Sequence, residues 1–268
     1  MNTAYREHTT EEKLQEFERL LNIMTRLRAE CPWDKEQTFE SLRTNTIEET
    51  YELADAILSG DMNEIRKELG DLLLHIVFYA QMGTETNDFD IYDVCKGLSE
   101  KLIYRHPHIF GETEAHTSEI VMQNWEKLKL KEKGGNRTVL AGVPDALPAL
   151  IKAHRMQDKA RSVGFDWEHR DQVWTKVKEE IDEFQTEIER MDKDKMEDEF
   201  GDVMFSLINA ARLYDINPEN ALERTNRKFA SRFNYLEAQT IAKGKDLKNM
   251  TLAEMDEIWE EAKKKQNG

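Results

Sequence analysis

A chain of 268 residues, 39% hydrophobic and 34% charged, has room for one large domain or two modest ones and enough apolar residues to bury a core. Its 12 glycines and 5 prolines are too few for a turn-rich β architecture and favour long helices. A formal net charge of −16 opposes general binding to nucleic acid or anionic membrane, but a small anionic ligand is still admissible where local cations or a bound metal invert the field.

The first residues, Met1 to His8, are polar and contain no apolar signal region. From Glu11 to Ala29 the chain reads as a helix, with Leu14, Phe17, Leu20, Leu21, Met24 and Leu27 at three- and four-residue spacing. Pro32 stops it, and Cys31-Pro32-Trp33-Asp34 reads as a short loop. Helical periodicity returns over Thr44 to Leu58 and Met62 to Met82, on either side of the turn signal Ser59-Gly60-Asp61. Asp61 with Glu64 three residues on resembles a capping box. Ile65, Leu69, Leu72 and Ile76 make one apolar stripe. The most apolar run, Leu69 to Met82, contains Asp71 and is too short to span a bilayer. Cys31 and Cys95 form neither a metal-ligand spacing nor a disulfide framework, so the chain reads as a soluble cytoplasmic protein with reduced thiols. Lys101-x-x-x-Arg105 runs into His106-Pro107-His108, which reads as a helix-ending loop because Pro107 breaks the helix. Gly134-Gly135-Asn136-Arg137 through Gly142-Val143-Pro144 is the best boundary, giving an N-terminal module over 1–132, a linker over 133–146 and a C-terminal module over 147–268. Helix resumes near Leu147 and is interrupted at Gly164-Phe165-Asp166-Trp167. Two further stripes follow, Val177, Ile181, Phe184, Ile188 and then Met196, Phe200, Val203, Leu207.

The two modules repeat one another. Glu48-Glu49-x-x-Glu52 with Glu68-x-x-Asp71 recurs as Glu179-Glu180-x-x-Glu183 with Glu199-x-x-Asp202, every acid 131 residues before its counterpart. Trp33-Asp34 is echoed by Phe165-Asp166, Lys101 and Arg105 by Lys228 and Arg232, and Trp125-Glu126 by Trp259-Glu260. The expected fold is therefore all-α, two tandem helical modules, each built round an antiparallel acidic helix hairpin.

The spacing sets the geometry. Glu52 and Glu68 are equidistant from Gly60, as are Glu49 and Asp71, and antiparallel helices rise equally from their turn. Each pair therefore faces its partner at one level, and the i, i+3 spacing within each helix brings four carboxylates to one patch. Glu180, Glu183, Glu199 and Asp202 do the same around Met191. Clustered carboxylates repel unless cations sit among them, and an all-oxygen site selects Mg²⁺, or Mn²⁺, over Zn²⁺. Gly70 and Gly201, each just before the Asp, suggest close approach by another element or a ligand. Lys228 and Arg232 are i, i+4 cations suited to phosphate; Trp259 and Trp125 suit either stacking on a base or core packing. Lys176 and Lys195 stand where the first module has Asn45 and Glu64, which makes the second module the better place for turnover.

These residues resemble the MazG family of all-α nucleoside triphosphate pyrophosphohydrolases, whose signature is similar to the two acidic motifs, to Cys31-Pro32-Trp33-Asp34, to Arg105-His106-Pro107-His108 and to Gly164-Phe165-Asp166-Trp167. The resemblance covers roughly residues 15 to 265. It implies a homodimeric, Mg²⁺-dependent enzyme that hydrolyses NTPs or dNTPs to the monophosphate and pyrophosphate. It implies metal ligation by Glu180, Glu183, Glu199 and Asp202, and by Glu49, Glu52, Glu68 and Asp71 if the first copy is loaded. It places Lys176, Glu179, Glu180, Lys195, Asp198, Lys228, Arg232 and Trp259 around the nucleotide, although the family pattern more often carries Glu at the position of Asp198. On this basis Glu179 is the expected general base, with Lys228 and Arg232 neutralising the departing pyrophosphate. The alternatives are a non-catalytic acidic interaction or nucleotide-sensing protein, which leaves the symmetric acids unexplained, and a di-iron bundle, which would need the Glu-x-x-His that this chain lacks.

Overall fold

The computed structural model describes residues 6–117 and 138–266 and, between them, residues 120, 121, 124, 125, 128 and 129. Glu126 and Gly134-Gly135-Asn136-Arg137, at the expected linker, lie outside the described residues. All the regular structure described is helical, as the scarcity of glycine and proline predicts. The chain divides into two compact units, Met1–Glu114 and Ala115–Gly268.

In the first unit α1 (Thr10–Glu30) opens on a reciprocal cap: the Glu12 amide donates to Thr9 Oγ1 at 3.2 Å and the Thr9 amide to the Glu12 carboxylate at 2.8 Å. Where a loop is expected at Cys31–Asp34, α2 (Pro32–Glu36) begins immediately. Proline ends one helix and opens the next, because its fixed φ suits the first helical position, where the missing N–H has no intrahelical partner to lose. The same reason corrects the loop expected at His106–His108: α5 (Ile91–Arg105) stops, and α6 (Pro107–Phe110) starts on Pro107. Between these lie α3 (Phe39–Ser59) and α4 (Met62–Thr86), the expected hairpin. Gly60 turns it at φ 73°, a left-handed conformation that favours glycine. Asp61 caps α4 by accepting from the Asn63 and Glu64 amides at 2.8 and 3.3 Å. The capping box is incomplete: the Asp61 amide bonds Ser59 Oγ at 3.4 Å, and the Glu64 carboxylate turns to Lys67 at 4.0 Å.

The second unit contains α7 (Ala149–Ser162), α8 (Gln172–Arg190), α9 (Lys193–Leu213), α10 (Pro218–Ala242) and α11 (Leu252–Gln266). Here α8 and α9 repeat the hairpin, and Met191 occupies the left-handed turn position at φ 59° without glycine's steric relief.

Each core sits toward the open end of its hairpin. Met24 from α1 packs on Leu42, Val77, Phe78 and Met82; Val173, Val177 and Ala210 do the equivalent in the second unit. The expected apolar stripes are split by this arrangement. Val177 and Val203 are buried, whereas Leu69, Ile76, Ile181, Ile188, Phe200 and Leu207 are exposed. Periodicity locates an apolar face; it does not say whether the chain itself covers that face.

A nearly buried arginine ties the outer end of each hairpin to the segment before it. Arg28 on α1 forks onto Glu85 of α4 at 2.9 and 2.5 Å and donates to the carbonyls of Asp34 and Gln37. In the second unit the polarity reverses: Arg212 of α9 forks onto Asp166 in the loop, one arm at 3.1 Å. Burial pushes the Asp166 carboxyl up, but the Arg212 bond and the Trp167 amide outweigh it, and the group titrates below its usual range. A depressed carboxyl stabilises the fold above its unfolded pKa of about 3.9 and ceases to do so as pH falls through the folded value. Asp166→Asn should therefore cost about 3 kcal/mol at pH 7, the cost of leaving a buried arginine unpaired. The difference from the parent should shrink below about pH 4 in urea unfolding; a difference that stays constant across that range would show that the ion pair is not its source.

Candidate metal and nucleotide site

Three carboxylates converge in the middle of each hairpin. Oxygens of Glu180, Glu199 and Asp202 all lie within 4.8 Å of one another, as do oxygens of Glu49, Glu68 and Asp71. Glu183 and Glu52, expected as fourth members, stand outside these groups among the described residues. Glu183 still feels its neighbours, and Glu49 feels its own group. Burial and then Glu180 raise the Glu183 carboxyl; burial, then Glu52, Asp71 and Glu68, raise that of Glu49. Glu180 and Glu68 are the buried members, each on the side of its helix that faces the hairpin partner.

A lysine ammonium compensates each group. Lys176 Nζ lies 2.8 Å from both Glu179 Oε1 and Glu180 Oε1, and the Glu179 and Glu180 bonds hold it strongly protonated. In the first unit the cation comes from a different position: Lys67 Nζ lies 2.8 Å from Glu68 Oε1. Lys67 is the counterpart of Asp198 at the same 131-residue offset, so the Glu64/Lys67 pair of one copy is Lys195/Asp198 in the other. Sequence comparison of Lys176 and Lys195 alone overlooks this reversal. The signal is Lys67 itself, which lies next to Glu68 but outside the acidic motif.

The remaining expected residues are more dispersed. Lys195 approaches Asp192, its own helix cap, at 3.9 Å. Asp198 is exposed on α9 beside Glu199. Lys228 and Arg232 lie on α10, which packs mainly on α11 and α7 and only lightly on α9. Arg232 covers the Trp259 ring at 5.9 Å, and Phe229 meets the same ring at 5.3 Å, so Trp259 is half-buried within its own module. An open depression of about 530 Å³ runs along α8, lined by Thr175, Lys178, Glu179, Asp182, Glu183 and Thr186. Apart from the adjacent residues and the nearby backbone of the same helix, no described atom comes within 4 Å of a Cβ built on Gly70 or Gly201, so the close approach expected there is not made by the described part of either unit.

One polar network was not foreseen at all. His75, buried one turn beyond Asp71, places Nδ1 3.0 Å from Thr46 Oγ1, which also meets the Tyr79 hydroxyl at 2.7 Å and the Leu42 carbonyl at 3.0 Å. Burial lowers the His75 pKa, against an upward pull from Asp71.

Against known proteins, the MazG nucleotide pyrophosphohydrolase domain profile matches residues 37–110 and 170–236, one segment over each hairpin. The nucleoside triphosphate pyrophosphohydrolase of Escherichia coli K12 is 42% identical, across 94% of this chain and 99% of its own. The Thermotoga maritima protein named nucleoside triphosphate pyrophosphohydrolase/pyrophosphatase MazG is 41% identical, across 92% of this chain and 95% of its own. The chain belongs to the MazG family. The uncharacterised Bacillus subtilis protein YabN is 43% identical over 98% of this chain, which spans 55% of its length.

The donors of both MazG modules suit a hard divalent cation. Each group offers three carboxylates, and in the first one oxygen, Glu68 Oε2, is buried without a hydrogen-bond partner among the described residues. A polar atom so placed costs free energy unless something ligates it. A metal there would take the role the lysine ammonium fills, with Glu180, Glu199 and Asp202, or Glu49, Glu68 and Asp71, as its ligands. None of the described helices is long and apolar enough to cross a membrane.

Carboxyls raised by burial and by their neighbours, as those of Glu49 and Glu183 are, would lose protons on metal binding. Titration with Mn²⁺ near pH 5 should therefore release protons, seen as a buffer-dependent heat, and the release should fall away toward pH 8, well above the ordinary carboxylate range. An unchanged buffer dependence across that range would refute the assignment.

Proposed function

We propose that this chain is a Mg²⁺-dependent nucleoside triphosphate pyrophosphohydrolase that cleaves NTPs or dNTPs at the α-phosphorus, giving the monophosphate and pyrophosphate, with the C-terminal module as its catalytic half. The observation that carries this reading is the Glu180–Glu199–Asp202 group with Lys176 and Glu179 beside it, in a chain of the MazG family whose relatives from E. coli and T. maritima are named for this activity.

A divalent cation held by these acids supplies charge neutralisation for the triphosphate and a more acidic water. The protein groups do the rest. With a cation held there, the Lys176 ammonium would leave Glu180 and become available to a phosphate oxygen. Its departure also frees Glu179, on the wall of the depression along α8, to accept the proton of the water that attacks the α-phosphorus. The α–β anhydride oxygen leaves with pyrophosphate, whose charge Lys228 and Arg232 offset once their helix closes on the hairpin. Lys195, Asp198 and Trp259 complete the nucleotide contacts in this reading, and Glu183 would join the residues holding the cation.

Incubation with mixed NTPs and Mg²⁺ should yield pyrophosphate and monophosphate in equal amounts; orthophosphate alone would point to a different phosphohydrolase. Glu199→Gln should lower turnover at least about 100-fold, the upper end of what a metal's outer-shell partners alone cost. Glu68→Gln should leave most of the activity. Equal losses from the two changes would defeat the assignment of catalysis to one module.

The same reading includes a homodimer. Part of the exposed apolar surface is common to the two hairpins: Ile57 corresponds to Ile188, Leu69 to Phe200, Leu74 to Phe205 and Ile76 to Leu207. A two-helix hairpin with an apolar outer face is half of a four-helix bundle, and a second chain supplies the other half. Light scattering should find a dimer, and Leu69→Asp with Phe200→Asp should convert it to monomer. A monomeric parent would overturn this part.

A further inference from the structure

We propose that the N-terminal module holds a transition-metal ion in a mixed oxygen–nitrogen site formed by Glu49, Glu68, Asp71 and His75, unlike the all-carboxylate group of the C-terminal module. The proposal rests on the reading of the acidic groups as divalent-metal sites and adds which metal class the first one takes, and why.

Glu68 is 4% exposed, and its Oε2 has no hydrogen-bond partner among the described residues, although it belongs to a carboxylate whose other oxygen bonds Lys67. Lys67 thus neutralises one oxygen of the buried carboxylate and leaves the other without a hydrogen bond among the described residues. Glu68, Asp71 and His75 follow one another at i, i+3 and i+7, and so line one face of α4.

The hydrogen bonds around Thr46 fix the imidazole tautomer. A threonine hydroxyl has one proton and two lone pairs. Thr46 Oγ1 donates to the Leu42 carbonyl at 3.0 Å, so its lone pairs must accept from the Tyr79 hydroxyl at 2.7 Å and from His75 Nδ1–H at 3.0 Å. The proton therefore sits on Nδ1, and Nε2 keeps its lone pair. A metal-ligating histidine shows this pattern, with the nitrogen away from the metal donating to a fixed acceptor. Burial disfavours the charged ring, and the neutral form is the one that ligates.

The C-terminal module lacks all three groups. Ser206 replaces His75, Val177 replaces Thr46 and Ala210 replaces Tyr79 at the common offset, and Ser206 Oγ is taken up by the Val203 carbonyl at 2.9 Å. One module therefore offers oxygen alone, and the other oxygen with imidazole. A nitrogen donor moves preference from Mg²⁺ toward Mn²⁺, Fe²⁺ and their neighbours. His75 stands one turn beyond the three oxygens that lie within 4.8 Å of one another, so ligation draws the imidazole and the carboxylates together by side-chain movement.

The test uses the full chain with Mn²⁺ alone as spin probe. A variant with Glu199→Gln and Asp202→Asn keeps only the N-terminal site. It should bind one Mn²⁺ whose electron spin-echo spectrum carries ¹⁴N modulation from a directly bound imidazole. Adding His75→Gln should abolish the modulation, and Thr46→Val, which installs the residue of the other module, should weaken Mn²⁺ binding about tenfold, as loss of a ligand's outer-shell partner does. The reciprocal variant, Glu68→Gln with Asp71→Asn, should bind Mn²⁺ with no ¹⁴N signal. Binding without modulation in the first variant overturns the role of His75 alone. Binding only in the reciprocal variant overturns the N-terminal site. Binding in neither overturns the underlying metal reading as well.

Discussion

Like-charge repulsion at the middle of each hairpin is the constraint on which the rest of the structure turns. Three carboxylate oxygens within 4.8 Å of one another repel by a few kcal/mol per pair at the effective dielectric of a protein surface. Two of the six acids, Glu68 and Glu180, are also buried, which removes the solvent that would soften the repulsion. The lysines answer this locally. Lys176 bridges two glutamates of its own helix, and Lys67 covers one oxygen of Glu68. An ammonium on a flexible stem is a cation that can leave, so the site is preorganised for a more highly charged visitor without being committed to it.

The hairpin is held from its open end. Apolar packing of Met24, Leu42, Val77, Phe78 and Met82 in one unit, and of Val173, Val177 and Ala210 in the other, fixes the helices beyond the acids, while the tight turn at Gly60 or Met191 fixes them before. The acids cannot relieve their repulsion by splaying the helices, because both ends are pinned. The arginine forks of Arg28 and Arg212 extend this hold to the preceding segment. That the same clip is made with opposite polarity in the two units shows that a buried charge pair at this junction matters more than which side supplies the cation.

What was legible in the sequence follows from locality. The turn at Gly60, the cap at Asp61, the meeting of Glu49 with Asp71 and the repetition at an offset of 131 all depend on short-range spacing, and the structure has each of them. The MazG resemblance, carried by the same acids, held across both hairpins. Tertiary effects were not legible. Which half of an apolar stripe is covered depends on neighbours, so Leu69 and Ile76 looked like core and are exposed. The Thr46–His75–Tyr79 network joins two helices through residues spaced 29 and 33 apart, which no motif announces. Proline breaks a helix in sequence terms, yet Pro32 and Pro107 each also open the next one.

The two modules thus share a backbone and differ in where charge and hydrogen-bonding capacity sit on it. Moving a lysine from the position of Lys67 to that of Lys195, with an acid taking its place, leaves the charge of that helix face unchanged but removes the cation adjacent to the second-helix glutamate. In the N-terminal module that glutamate, Glu68, is bound on one oxygen by its neighbour and open on the other, next to an imidazole held in one tautomer. In the C-terminal module the cation sits on the first helix, spanning Glu179 and Glu180, where its departure would open a metal ligand and a basic carboxylate in one movement. Coupling those two events through a single side chain suits a site that turns over; a half-satisfied carboxylate beside a fixed imidazole suits one that holds its ion.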